Sequence, residues 1–126
     1  MRYNVTANTD LSGGSIAIKP VNTKHPTTTD ASDLELKYYW NVVSTGFSSG
    51  LTVTHVYNYM NADVNGTETN YVAGRFFNGG WNSVPEATPS VTPASDFFTF
   101  TSRNYITGDY TAGETSEFLT IRTSYS

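Results

Sequence analysis

Along residues 34–42 the apolar side chains Leu34, Leu36, Tyr38, Trp40 and Val42 fall on one parity, while Glu35, Lys37, Tyr39 and Asn41 fall on the other. A period of two is that of a strand with one face on a core and the other in water, and this is the strongest strand signal in the chain. Residues 45–50 supply turn chemistry, and a second strand follows with Leu51, Val53, His55, Tyr57 and Tyr59 on one face. The polar run Asn61-Ala62-Asp63-Val64-Asn65-Gly66 ends that strand. Asn65-Gly66 is a favoured pair for a hairpin turn, so residues 71–77 are predicted to return antiparallel. Asn78-Gly79-Gly80 then breaks the strand ahead of Trp81. Pro85, Pro89 and Pro93 mark an extended connection, because proline lacks the amide hydrogen a helix interior needs.

Residues 97–101 read as a further strand, Gly108 and Gly113 as the flanks of a compact turn, and residues 118–125 as the last strand. Nearer the start, Tyr3-Asn4-Val5-Thr6 is strand-like, residues 15–21 alternate until Pro20 and read as an edge strand, and residues 22–32 read as a polar loop. Short strands punctuated by turns, with no 3.6-residue stripe, predict one all-β domain: an antiparallel β-sandwich, immunoglobulin-like or jelly-roll-like. Exposed edges near residues 16–21 and 118–125 could pair between copies. Strand-like sequence at both ends reads as a domain cut from a longer protein.

Composition sharpens the picture. Charged residues make up 14% of the 126, too few to clothe the solvent faces of several helices, and polarity rests on Thr, Ser, Asn and Gly instead. A net charge of −4 without a basic cluster argues against nucleic acid as a partner. No apolar run has the length to insert in a bilayer. The absence of cysteine excludes disulfides and thiolate chemistry and is compatible with export.

Two passages carry a resemblance. The run from Asn61 to Tyr71, followed by Arg75-Phe76-Phe77-Asn78-Gly79-Gly80-Trp81, resembles a hairpin-and-tryptophan pattern in long secreted proteins of the Bacteroidetes. Ile106-Thr107-Gly108-Asp109-Tyr110-Thr111-Ala112-Gly113-Glu114 resembles a phrase common in the same proteins. The resemblance implies an extracellular β-domain of a large modular protein exported to the cell surface, with the type IX pathway as the route. It implies no reaction and assigns no functional residue.

Candidate chemistry is sparse. Asn61, Asp63 and Asn65 ahead of Gly66 match the opening of a calcium loop, since alternate oxygen-bearing side chains can wrap one hard cation, and Glu68 or Asp109 could complete a weak calcium site. The twelfth position is Val72 rather than a bidentate Glu, and the backbone tolerance of Asn, Asp and Gly in turns explains the same letters. With 14% aromatic residues, stacking on sugar rings is a second candidate. Trp81 and Tyr39 are its leading sites, with Tyr57, Tyr59, Phe76 and Phe77 beside them, whereas Trp40 shares the parity of the core. His55 reads as a hydrogen-bonded, half-buried side chain and His25 as a loop residue. Asp96, Asp109, Glu114 and Glu117 read as turn and edge carboxylates, with Asp109 and Glu114 able to bond backbone amides; no Gly-x-Ser-x-Gly elbow occurs.

The sequence therefore predicts a non-catalytic structural or adhesive module of a secreted or surface protein, needing no cofactor beyond a weak structural calcium. Its expected partners are neighbouring domains of its own chain and a glycan or another surface protein. Carbohydrate binding through exposed aromatics is the alternative reading, and an accessory part of a secreted hydrolase a third.

Overall fold

The alternating runs do build strands, and the strands stack as two antiparallel sheets. The computed structural model describes residues 2–8, 13–28, 33–47, 51–82, 91–103 and 105–118. The strands are β1 (Arg2–Asn8), β2 (Ser15–Val21), β3 (Tyr39–Thr45), β4 (Leu51–Asn58), β5 (Tyr71–Phe77), β6 (Gly80–Asn82), β7 (Val91–Thr92), β8 (Phe97–Arg103) and β9 (Gly108–Glu114). One sheet has the order β1-β4-β8-β7 and the other β2-β3-β9-β5-β6. The described residues contain short 3₁₀ turns and no α-helix. The expected all-β sandwich is thus the observed architecture.

Its core is aromatic. Tyr57 of β4 lies between Phe98 of its own sheet, at a centroid distance of 4.9 Å, and Tyr110 of the facing sheet, at 5.1 Å. Trp40 reaches across to Tyr57 at 5.2 Å, and Phe100 to Tyr110 at 5.1 Å. Each such pair contributes about 0.5–1.5 kcal/mol beyond the burial of its area. His55 is enclosed in the same layer, bonded to Tyr57 Oη and to the Tyr105 carbonyl, as its parity predicted.

Four sequence readings need correction. Residues 71–77 do not return against the second strand: β4 and β5 lie in different sheets, and the 61–70 segment crosses between them as two 3₁₀ turns. The Asn-Gly hairpin falls one pair later. Asn78 and Gly79, with φ of 55° and 83°, form the two-residue turn joining β5 to β6, with Phe77 opposite Gly80; positive φ at both central positions is what Asn and Gly tolerate and what the strand twist demands. Residues 108–113 are no turn but β9, the middle strand of the five-stranded sheet. Lastly, residues 34–36 bridge to the far half of β9, with Leu36 N donating to Ala112 O and Glu114 N to Leu34 O, before the chain bends and restarts as β3. Of the strand expected over residues 118–125, Phe118 closes a 3₁₀ turn and the rest lies outside the described residues.

Gly113 permits this last pairing. A Cβ there would lie 2.7 Å from Glu35 Cβ and 2.9 Å from Leu34 O. The edge position expected of residues 15–21 is that of β2.

Candidate functional site

The parity of the five-stranded sheet assigns Tyr39, Asn41, Asp109, Phe76 and Trp81 to the face away from the core, with Asn41 opposite Asp109, Asp109 opposite Phe76 and Phe76 opposite Trp81. That face is not bare. The 22–28 loop lays His25 on it, with ring centroids 4.6 Å from Tyr39, 4.8 Å from Phe76 and 4.9 Å from Trp81. The 3₁₀ turn Thr115–Phe118 adds Phe118, 4.7 Å from Trp81. The leading sugar-stacking candidates, Trp81 and Tyr39, are therefore brought together around His25, with Phe118 against Trp81, and both remain half-buried. Trp81 Nε1 is buried without a hydrogen-bond partner.

His25 is fastened at both nitrogens. Nδ1 accepts from Thr27 N and faces Thr27 Oγ1 at 2.8 Å, and Nε2 lies 2.8 Å from Asp109 Oδ2. Burial lowers its pKa, against the opposing pull of Asp109, which leaves a neutral ring whose Nε2–H donates to the carboxylate. Beneath the same loop Glu35 and Glu117 are both sealed from water. Both were read as solvent-side carboxylates; the loop and the turn form a second layer over that side. Burial, with the neighbouring Glu117 charge, outweighs the Thr28 hydroxyl bond and pushes Glu35 up to about 7.

The other candidates meet at the edge of the sandwich. There Pro20, Val21 and Asn22 from the end of β2, Tyr38 and Trp40 at the start of β3, and Asn58, Tyr59 and Met60 leaving β4 line a groove of about 220 Å³. Pro20 lies opposite Trp40 in the β2–β3 register, which sets the groove wall.

The polar segment behind the groove fixes its rings. Tyr38 Oη donates to Asp63 Oδ2 at 2.7 Å and accepts from Met60 N, while Tyr59 Oη donates to Glu68 Oε2 at 2.6 Å. Lys37 Nζ stands 3.7 Å from Asp63 Oδ1, and Asn61 Nδ2 donates to Glu68 Oε1. Burial first, then the partner carboxylate, pushes the Tyr38 phenol up to about 12 and Tyr59 higher still. Both hydroxyls are therefore neutral donors at any ordinary pH.

The calcium-loop residues thus have other partners. Asp63 and Glu68 each hold a tyrosine, and the Asn65 backbone is held by the Tyr71 hydroxyl. Among the described residues no group of three or more His, Asp or Glu is arranged to hold a metal ion. Of the aromatic candidates, Tyr57 is buried between two rings and has no face for a ligand, Tyr59 is buried except where it lines the groove, and Phe77 is exposed. Glu114 does bond a backbone amide, that of Thr67, at 2.7 Å, whereas Asp109 bonds the side chains of His25 and Asn41.

Sequence reasoning missed the groove because Trp40 and Tyr38 carry core parity, and nothing local signals that the ends of β2, β3 and β4 meet at one cavity. The chain matches no protein-family model, no curated protein and no solved structure.

Proposed function

We propose that this chain is a non-catalytic binding module, part of an exported surface protein, whose edge groove takes a single sugar ring of a glycan. The carrying observation is that Tyr38, Trp40 and Tyr59 converge on one open cavity. Apolar ring faces suit the C–H face of a sugar, and Asn22 and Asn58 at the same groove offer amides to its hydroxyls. At about 220 Å³ the cavity is below the roughly 300–1,000 Å³ typical of drug-sized ligands, which suits one ring rather than a long chain. The tyrosine–carboxylate bonds behind the groove support the same reading, since rings fixed before binding lose little entropy on it.

The structural-module reading, a spacer without a ligand, draws support from the outer face, where Tyr39, Phe76 and Trp81 are used to hold a loop. The two readings part in one experiment. A Trp81→Phe variant leaves Trp40 as the single tryptophan and its fluorescence as a groove reporter. Titrated with a panel of mono- and oligosaccharides, it should give a saturable change with at least one sugar, abolished by Tyr59→Ala; a flat response across the panel supports the spacer.

A further inference from the structure

Arg75 projects to the core side of β5 and is 7% exposed, yet none of the ion pairs among the described residues involves it. Its Nε and Nη2 both donate to the carbonyl of Thr107. Nη1 makes no hydrogen bond and is not sealed from solvent. Two rings flank the guanidinium, Phe77 at 4.3 Å and Tyr105 at 4.0 Å from Cζ. Their faces offset part of the cost of burying a cation, but they carry no anionic charge. Gly108 makes room for the arrangement: a Cβ there would stand 3.0 Å from Arg75 Nε and 3.1 Å from its Cγ. The neighbouring Tyr105 hydroxyl is buried with no hydrogen-bond partner.

Buried charges are paired, and buried hydroxyls are bonded, as a general rule. Here a cation without an acid partner among the described residues lies over the ring of a tyrosine whose own hydroxyl lacks an acceptor. The fork of Arg75 is satisfied on its Nε edge, which leaves the Nη1 end for a second, charge-assisted contact of the kind guanidinium makes with oxyanions. We propose that this end of Arg75 is a binding site for an oxyanion carried by a ligand: a carboxylate, sulfate or phosphate group. The site is separate from the edge groove. Tyr110 of β9 pairs with Arg75 on one side and Trp40 on the other, so a buried ring stands between the two.

The test is a ¹⁵N NMR titration of the whole chain with sodium acetate, sulfate and inorganic phosphate, each against chloride at constant ionic strength. A saturable displacement of the Arg75 Nε–H and Gly108 amide signals is expected. Saturation by acetate alone assigns a carboxylate, and saturation by sulfate or phosphate a tetrahedral group. Affinity should fall about tenfold in Arg75→Gln, the loss expected for a charge-assisted hydrogen bond. Arg75→Lys, which keeps the charge and loses the planar fork, should bind severalfold more weakly and decides the matter if Arg75→Gln does not fold. Linear, unsaturable shifts in the wild type, or unchanged affinity in folded Arg75→Gln or Arg75→Lys, would overturn the site.

Discussion

His25 Nε2 lies 2.8 Å from Oδ2 of Asp109, a residue 84 positions further along the chain. This one contact fastens the 22–28 loop to the central strand of the five-stranded sheet, and the rings of Tyr39, Phe76 and Trp81 close around it. Truncating the ring removes a buried hydrogen bond and opens a void among aromatics. His25→Ala should therefore lower unfolding free energy by about 2–4 kcal/mol in urea titration, and Asp109→Asn by less, since an amide oxygen can still accept from Nε2–H. Equal loss in the two variants would mean that the charge, not the packing, holds the loop.

His25 and Glu35, both buried, predict opposite pH dependences. A histidine whose pKa is lowered by folding gives its full stabilisation above the ordinary 6.5 and loses it as pH falls below that value. Glu35, raised from 4.5 to about 7, gives its full stabilisation below 4.5 and loses it as pH rises through 7. In Glu35→Gln the alkaline loss disappears, so the variant should gain on the wild type by something of order 3 kcal/mol between pH 4.5 and 8. Chemical denaturation at a series of pH values measures this, and parallel curves for the two proteins would remove the buried-acid account.

The sandwich itself was readable because it rests on period-two runs: Leu36, Trp40 and Val42, and then Val53, His55 and Tyr57, are buried as their parity requires. What failed was pairing. Both Asn65-Gly66 and Asn78-Gly79 carry the same local preference for positive φ, and only the second is flanked by strands in register. The phrase Ile106 to Glu114 looked like a turn because of its glycines; Gly108 is instead a clearance for Arg75, and Gly113 one for Glu35. Glu35 looked solvated because alternation reports one core and is silent about a second layer laid over the other face; that layer seals Glu35 and leaves Tyr39 half-buried. The groove was invisible for the converse reason: its walls include Tyr38, Trp40 and Tyr59, which carry core parity and meet where the ends of three strands come together.

The glycines separate two mechanisms. Gly79 has φ of 83° with nothing within 4 Å of a Cβ, so Gly79→Ala should cost about 1 kcal/mol through backbone strain alone. Gly113→Ala drives a methyl group into Glu35 Cβ and the Leu34 carbonyl and should cost more, about 2–3 kcal/mol. Thermal unfolding of the two variants orders them; the reverse order would contradict the bridge between residues 34–36 and β9.

Tyr59→Phe keeps the ring at the groove and removes the hydroxyl that meets Glu68. It should cost about 1–2 kcal/mol of stability while leaving a ring face for a ligand, whereas Tyr59→Ala should abolish binding. Urea titration and fluorescence titration of the pair separate the two effects, and loss of binding in the phenylalanine variant would move recognition from the ring face to the hydroxyl.

The groove as a binding site is tested most directly through Met60, which is 68% exposed and sits on its rim. Methionine methyl labelling with ¹³C places a probe there and one at Met1. With a sugar identified by the fluorescence panel, the Met60 methyl signal should shift along a saturable curve while the outer-face signals of Trp81 stay still. A ligand that moves Trp81 and leaves Met60 in place would contradict the account and return recognition to the outer face of the sheet.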